Sequence, residues 1–413
     1  MKKIILLILI FFFFVFIFFS LKTMKNTSFH DFDEANRAEA VKNMKEYRFF
    51  LAPLTGSPFL RNEKLKLKVK DNPNLSLFIH LERPPLFFWL TTISTSLFGE
   101  SEFSYRLPSF LFGLATIIVS FFLHPFSSLA ILLSNDFWLS SQNALMDTML
   151  TFFLFIAFLF LLKSIRSKNR LYFFLTGFFW GLAILTKGQP AVIFVFSLFL
   201  SLLLKKLNLK EISLIFLSAS LIVVPWIFLI IYNFGFDNFV LGFLGFASKK
   251  VLSFDPSQKA PVFWYLRWWF ESFRVGSILF FTLLIYDILN KKITSEKLFI
   301  ALYFFTSLLF FSLAKNKVWW YVLPLTPIIA LYIHYSVSHL LKTKKNKLVN
   351  LSIIVFFSSL PLFFNLSNKL ALIFQLIMII FSILILRIEI KKRIFFIYPL
   401  VIFFSLLFFL TFF

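Results

Sequence analysis

The residue types that invite chemistry fall in a few places along the chain. Asp33, Glu34 and Arg37 stand near the start of the polar stretch Phe29–Trp89, and His80, Glu82 and Arg83 stand near its end, ahead of Pro84 and Pro85. Asp147 opens the apolar run MDTMLTFFLFIAFLFLL, and Lys187 closes another in AILTKGQPAVIF. Lys249, Lys315 and Lys317 stand in polar breaks, the last two just ahead of Trp319, Trp320 and Tyr321. Carboxylates gathered at one water-accessible rim can act as a general base toward an acceptor hydroxyl or amine. They can also hold a divalent metal ion against phosphate oxygens, with Asp33, Asp147, His80 and Glu82 as its ligands. Outward-facing cations close to a bilayer suit a lipid-linked phosphate, and the tryptophans and Tyr321 suit a sugar face. Plainer readings stand beside these: a carboxylate favoured by a helix dipole, a snorkelling lysine, an interfacial aromatic belt, and loop His and Glu that are merely solvated.

Positioning these groups falls to a chain that is 59% hydrophobic, 21% aromatic and only 15% charged, with a mean hydropathy of +0.86. A soluble domain needs roughly a quarter charged residues, so this is an all-α polytopic membrane protein. Its 67 phenylalanines fill lipid-facing positions and carry no mechanism of their own. The formal charge of +23 would suggest nucleic acid in a soluble protein, but the Lys and Arg sit in short loops and no nucleic-acid motif is present. With no cysteine, disulfides and thiolate metal sites are excluded.

Apolar runs near 4–21, 103–123, 126–141, 148–163, 171–187, 189–204 and 212–232 are long enough for membrane spans or helices packed within protein. Further runs fall near 275–289, 298–313, 318–338, 349–365, 370–387 and 394–412, which makes about thirteen spans. The first resembles a signal peptide, but its apolar region is too long and no small-residue cleavage site follows, so it is expected to be retained. Alternate loops collect Lys and Arg, from Lys2 and Lys3 through Lys163–Arg170, Lys205–Lys210 and Lys291–Lys297 to Arg387–Arg393. That pattern places the N-terminus in the cytoplasm of a cell whose inner membrane holds the protein, with loops 22–102 and 233–274 outside. Within the first loop, DEANRAEAVKNMKEYRFF reads as an amphipathic helix and PPLFFWLTTISTSLFG as a helix lying at the interface. Residues 1–338 form the expected catalytic module, and 339–413 add further spans without a soluble C-terminal domain.

Five blocks taken together carry a family likeness: DEANRAEAVKNMKE, LERPPLFFWLTTISTSLFGESEFSYRLPSFLFG, NALMDTMLTFFL, GLAILTKGQPA and FSLAKNKVWWYVLPLTPIIAL. In order and content they resemble the bacterial branch of the protein O-mannosyltransferase superfamily, most of all its lipid A aminoarabinose transferase group. The resemblance implies a C-type glycosyltransferase fold whose outward cavity uses a polyprenyl-phosphate sugar. It matches Asp33 to the carboxylate of the family's first outer loop and Asp147 to its second acidic position. Glu82 and Arg83 fall on the Glu-Lys-Pro-Pro block, with Arg where Lys is usual, which keeps the charge and changes donor geometry. Lys187 matches the lysine of the Leu-Thr-Lys-Gly block, near the donor phosphate. A basic insertion, RNEKLKLKVKDNPNLS, departs from the family pattern and leaves the acceptor open.

The expected function is transfer of one sugar from a polyprenyl-phosphate carrier to an extracytoplasmic acceptor, whether lipid A, another glycan or a protein. Asp33 would be the base or position the acceptor, and Asp147 would assist, with a divalent metal ion as the expected cofactor. Arg83 and Lys187, together with Lys249, Lys315 and Lys317, would neutralise the phosphate. Glu34, Arg37, Glu82 and Tyr321 would line the site. The rival, a flippase of lipid-linked sugars, calls for ionisable residues deep in several spans and for repeated broken helices, neither of which the sequence displays.

Overall fold

The computed structural model describes residues 2–29, 32–56, 66–69, 72–244, 260–314 and 317–343. The chain enters through α1 (Lys2–Asn26) and then α2 (Phe32–Glu46). A small antiparallel sheet follows, built from β1 (Leu54–Thr55), β2 (Lys66–Val69) and β3 (Asn72–Ile79) in the order β1-β3-β2. Next come α3 (Leu86–Phe98), α4 (Glu102–Leu123), α5 (Pro125–Leu132), α6 (Asn135–Gln142), α7 (Met146–Ser167) and α8 (Arg170–Lys187). A 3-10 turn, Gln189–Val192, leads into α9 (Ile193–Leu203), which is followed by α10 (Leu209–Phe234) and α11 (Phe236–Phe239). A π-helical turn, Val240–Leu244, follows, and the remaining described helices are α12 (Trp264–Ser272), α13 (Arg274–Leu289), α14 (Ser295–Leu313) and α15 (Thr326–Thr343), the last preceded by the 3-10 segment Trp319–Leu325.

Five described segments are long and apolar enough to cross a bilayer: Glu102–Leu123, Met146–Ser167, Leu209–Phe234, Ser295–Leu313 and Trp319–Leu340. The bent pair Trp264–Ser272 and Gly276–Leu289 makes a sixth if taken as one span. The runs expected near 349–365, 370–387 and 394–412 lie outside the described residues.

Three expectations change. The fold is not purely helical, because the first loop carries the sheet. Its signal was the alternation Lys-Leu-Lys-Leu-Lys-Val within the basic insertion, a period of two that suits a strand with one polar face. The run expected near 126–141 is two short helices, α5 and α6; Ser134 ends the first and caps the second, accepting from the Phe137 N–H at 3.4 Å. Finally, α2 is not simply amphipathic, since Glu34, Asn36 and Arg37 are buried along with Ala40, Val41 and Met44.

α7 is the centre of the bundle, packing on α4, α8 and the 3-10 segment before α15. Phe158 of α7 stacks on Tyr303 and Phe299 of α14, at centroid separations of 4.8 and 5.6 Å. α8 and α10 approach closely because Gly177 leaves room: a Cβ there would lie 2.1 Å from the Ile215 carbonyl oxygen. Beside it, the Ser218 hydroxyl donates to the Phe174 carbonyl at 2.6 Å. Gly177→Ala is therefore expected to cost about 1–3 kcal/mol through overpacking, read as a lower melting temperature in detergent.

The loop is tied to the bundle by indole donors and a second apolar cluster. Trp226 Nε1 donates to the Leu51 carbonyl at 2.9 Å and Trp89 Nε1 to that of Phe50 at 2.7 Å. Ala52, Leu54, Leu77, Ile79 and Leu81 pack with Leu185, Val223, Trp226 and Ile230 of α8 and α10. At the opposite end, Asp287 accepts from Lys297 Nζ at 2.8 Å, Ser336 Oγ at 2.7 Å and Tyr332 OH at 3.2 Å, closing α13, α14 and α15 around a buried ion pair. Arg106 in α4 is a further ionisable side chain buried in an apolar helix. Each of these groups lies within two turns of a helix end and is saturated with partners, so none marks a polar path along the spans.

Candidate active site

The α7–α8 hairpin brings the N-terminal turn of one helix beside the C-terminus of the other. Asp147 and Lys187, 40 residues apart in sequence, meet there: Lys187 Nζ lies 2.5 Å from both carboxylate oxygens. Asp147 is 0% exposed and Lys187 13%, so the pair sits at the inner wall of the site. The rings of Tyr321 and Trp320 flank the ammonium, with centroids 5.4 and 6.0 Å from Nζ. The helix dipole and interfacial snorkelling are therefore not the main partners of either residue; each is the other's counter-ion.

α2 supplies the facing wall. Arg37 Nη2 donates to Asp33 Oδ2 at 3.2 Å and Arg37 Nη1 to the Ala144 carbonyl at 3.2 Å, so α2 is joined to the turn that leads into α7. Asp33 keeps 37% of its side chain exposed while Arg37 is buried, which makes Asp33 the accessible carboxylate of the two expected. Arg83 completes the group, donating to Asn36 Oδ1 at 2.7 Å and lying 3.9 Å from Glu82. These charges act on one another: Lys187 with Asp147, Arg37 and Asp33; Arg83 with Glu82, Arg37 and Asp33; and Tyr321 with both aspartates. Burial holds the Arg83 guanidinium below its ordinary range, Arg37 adds to that, and Glu82 and Asp33 oppose it. The position after Glu82 is thus a partly desolvated cation, which attracts an incoming anion while Glu82 and Asp33 oppose it.

His80 and Glu82 hold each other in a buried relay. His80 Nδ1 is 2.7 Å from Glu82 Oε1, and Nε2 is 2.6 Å from Thr55 Oγ1, so β1 orients the segment before Pro84-Pro85. These contacts occupy both ring nitrogens, and Lys187 occupies both oxygens of Asp147. Among the described residues no group of three His, Asp or Glu side chains is placed to hold a metal ion. The four residues expected as metal ligands, Asp33, Asp147, His80 and Glu82, do not form a donor set.

Other expected site residues are placed elsewhere or not described. Lys317 donates to the carbonyls of Ala260 and Ala314, at 3.2 and 2.7 Å, and fixes the loop rather than meeting the aspartates. Lys249 and Lys315 lie outside the described residues. Glu34 is buried and accepts from Arg106 through both oxygens, at 2.7 and 3.0 Å, and from the Ala144 N–H at 2.8 Å. Tyr265 and Trp269 are buried, at 0% and 2% exposed, within the bundle.

Sequence reading missed Asn36, which places Arg83, and Arg106, which places Glu34. Arg106 was legible as an arginine inside the apolar run near 103–123. Asn36 had no such signal, because its partner lies 47 residues away.

Residues 82–231 match the sequence profile of the dolichyl-phosphate-mannose-protein mannosyltransferase family. An uncharacterized protein of Aquifex aeolicus is 30% identical over 62% of this chain and 60% of its own length. The undecaprenyl phosphate-alpha-4-amino-4-deoxy-L-arabinose arabinosyl transferase of Wigglesworthia glossinidia brevipalpis is 27% identical over 72% of this chain and 56% of its own length. The chain thus spans between half and two thirds of the length of these relatives. Among solved structures, ArnT from Cupriavidus metallidurans bound to undecaprenyl phosphate superposes with a TM-score of 0.63 at 20% identity, covering 92% of this chain and 72% of that one. The likeness read from the five sequence blocks therefore holds: this membrane protein carries the mannosyltransferase family's pattern over residues 82–231 and has the fold of ArnT.

Proposed function

We propose that the chain is an integral-membrane glycosyltransferase that moves one sugar from a polyprenyl-phosphate carrier to a hydroxyl or amine of an acceptor on the outer side of the inner membrane. The observation that carries this reading is the cluster itself. An accessible carboxylate, Asp33, faces cations at Arg83 and Lys187 at one end of an apolar bundle. Asp33 takes the acceptor proton as the acceptor oxygen or nitrogen attacks the anomeric carbon, and the polyprenyl phosphate leaves with the bonding electron pair. Lys187 and Arg83 neutralise the charge on the departing phosphate oxygen. Asp147 holds Lys187 in place until that charge develops, and Tyr321 walls the ammonium off from lipid. Relatives whose names specify an undecaprenyl-phosphate aminoarabinose donor support a carrier of that class, and lipid A, another glycan or a protein serves as acceptor.

The test is transfer of label from a mixture of polyprenyl-phosphate sugars by membranes containing the wild-type chain, with and without a chelator. Label reaching an acceptor supports the reading and identifies the donor, and the chelator arm reads whether a divalent cation takes part. No transfer from any donor, with the labelled lipid changing leaflet instead, would replace it with the flippase reading.

A further inference from the structure

The two candidate carboxylates come from elements far apart in sequence, so something must set their separation. Asp33 is adjacent to Glu34, and Asp147 lies three residues beyond Ala144; Ala144 is fastened to Glu34, and Glu34 in turn to one point. That point is Arg106, 0% exposed in the second turn of α4. Its Nε and Nη2 hold the two oxygens of Glu34. Nη1 donates to the Thr27 carbonyl at 2.7 Å, the Thr27 hydroxyl at 3.0 Å and the Met24 carbonyl at 3.3 Å, and Nη2 to the Ser28 carbonyl at 2.8 Å. Glu34 passes the connection on through its bond from the Ala144 N–H, and Arg37 returns one to the Ala144 carbonyl. The end of α1, the start of α2, α4 and the turn before α7 therefore meet at one guanidinium–carboxylate pair.

We infer that the Arg106–Glu34 pair is a positioning hub that fixes Asp33 against Asp147 and Lys187 for sugar transfer; this rests on the transferase reading. A buried pair of this kind is weak evidence for stability, since well-packed apolar residues often replace one without loss. Its use is geometric. Arg offers a planar fork of five donors, and only that fork reaches Glu34 and the carbonyls of Met24, Thr27 and Ser28 together. Lys keeps the charge at this position and loses the fork.

Two variants separate positioning from mere support: Arg106→Lys, and the double change Glu34→Leu with Arg106→Leu. The readouts are melting temperature, kcat, and KM for the polyprenyl-phosphate sugar. The double variant is expected to fold with a lowered melting temperature, because no charge is left unpaired but the Ala144 N–H and the Met24, Thr27 and Ser28 carbonyls lose their partners, and to lose about 100-fold in kcat, as a misplacement of about 1 Å does. Arg106→Lys is expected to lose kcat by a similar factor with donor KM within about twofold, since the phosphate contacts at Arg83 and Lys187 are untouched. A well-folded double variant with wild-type kcat overturns the hub. If the double variant does not fold, Arg106→Lys decides alone: unchanged kcat, or a change confined to KM, overturns it. A wild-type chain inactive toward every donor removes the transferase reading, and the hub with it, before any variant is compared.

Discussion

Asp33→Asn is expected to abolish sugar transfer while the protein still inserts and folds. The change removes the proton acceptor and keeps the shape, and loss of a positioned general base costs about 10²–10⁴-fold in rate. Folding should scarcely notice, because Asp33 is 37% exposed and its partner Arg37 keeps its bond to the Ala144 carbonyl. The pair is part-buried and opens to solvent on the Asp33 side, so its loss should cost little more than the about 0–1 kcal/mol of an exposed pair and the melting temperature should move by little. The assay is label transfer beside a thermal melt on the same preparation. Full activity in Asp33→Asn would remove Asp33 from the mechanism. Lost activity together with lost folding would show that α2 depends on this carboxylate structurally.

Lys187→Met should damage both activity and stability. Asp147 is 0% exposed and both its oxygens face Lys187, so removing the ammonium leaves a buried carboxylate with its counter-ion gone. Breaking a buried pair in this way costs about 3–5 kcal/mol. Changing both partners, Lys187→Met with Asp147→Leu, should recover most of that stability, because no unpaired charge remains, and should recover no transfer. The contrast between single and double variants is the measurement. A double variant that regains transfer would reduce the pair to a structural strut, and the phosphate would then depend on Arg83 alone. If the single variant melts at the wild-type temperature, water reaches Asp147 and the site is more open than the α7–α8 contact implies.

Different parts of this molecule were legible in the sequence to different degrees, and the reason in each case is the range of the interaction. The apolar runs marked α1, α4, α7, α8, α10 and α14 closely, because a bilayer demands a long unbroken apolar segment and the chain records it locally. Pro84-Pro85 marked α3 by the same local logic. The short sheet was also recorded locally, in the Lys-Leu alternation of the insertion, but the expectation of an all-helical chain hid it. The break between α5 and α6 is a local cap at Ser134 inside a continuous apolar run, where hydropathy alone has nothing to detect.

The site divides the same way. Asp33, Asp147, Arg83 and Lys187 could be named from residue type and from the motif blocks that contain them, since a charge beside a span is conspicuous in so apolar a chain. By itself the sequence determined that this is a polytopic membrane protein with its unusual residues in one set of loops, because hydropathy and charge placement are summed residue by residue. Only the tertiary structure decided which charges answer which. It gave Lys187 to Asp147, Glu34 to Arg106 and Arg83 to Asn36, and it sent Lys317 to the loop carbonyls. Ion pairs and hydrogen bonds act over a few ångströms between groups 40 or more residues apart, so their partners are set by how helices pack and not by spacing along the chain.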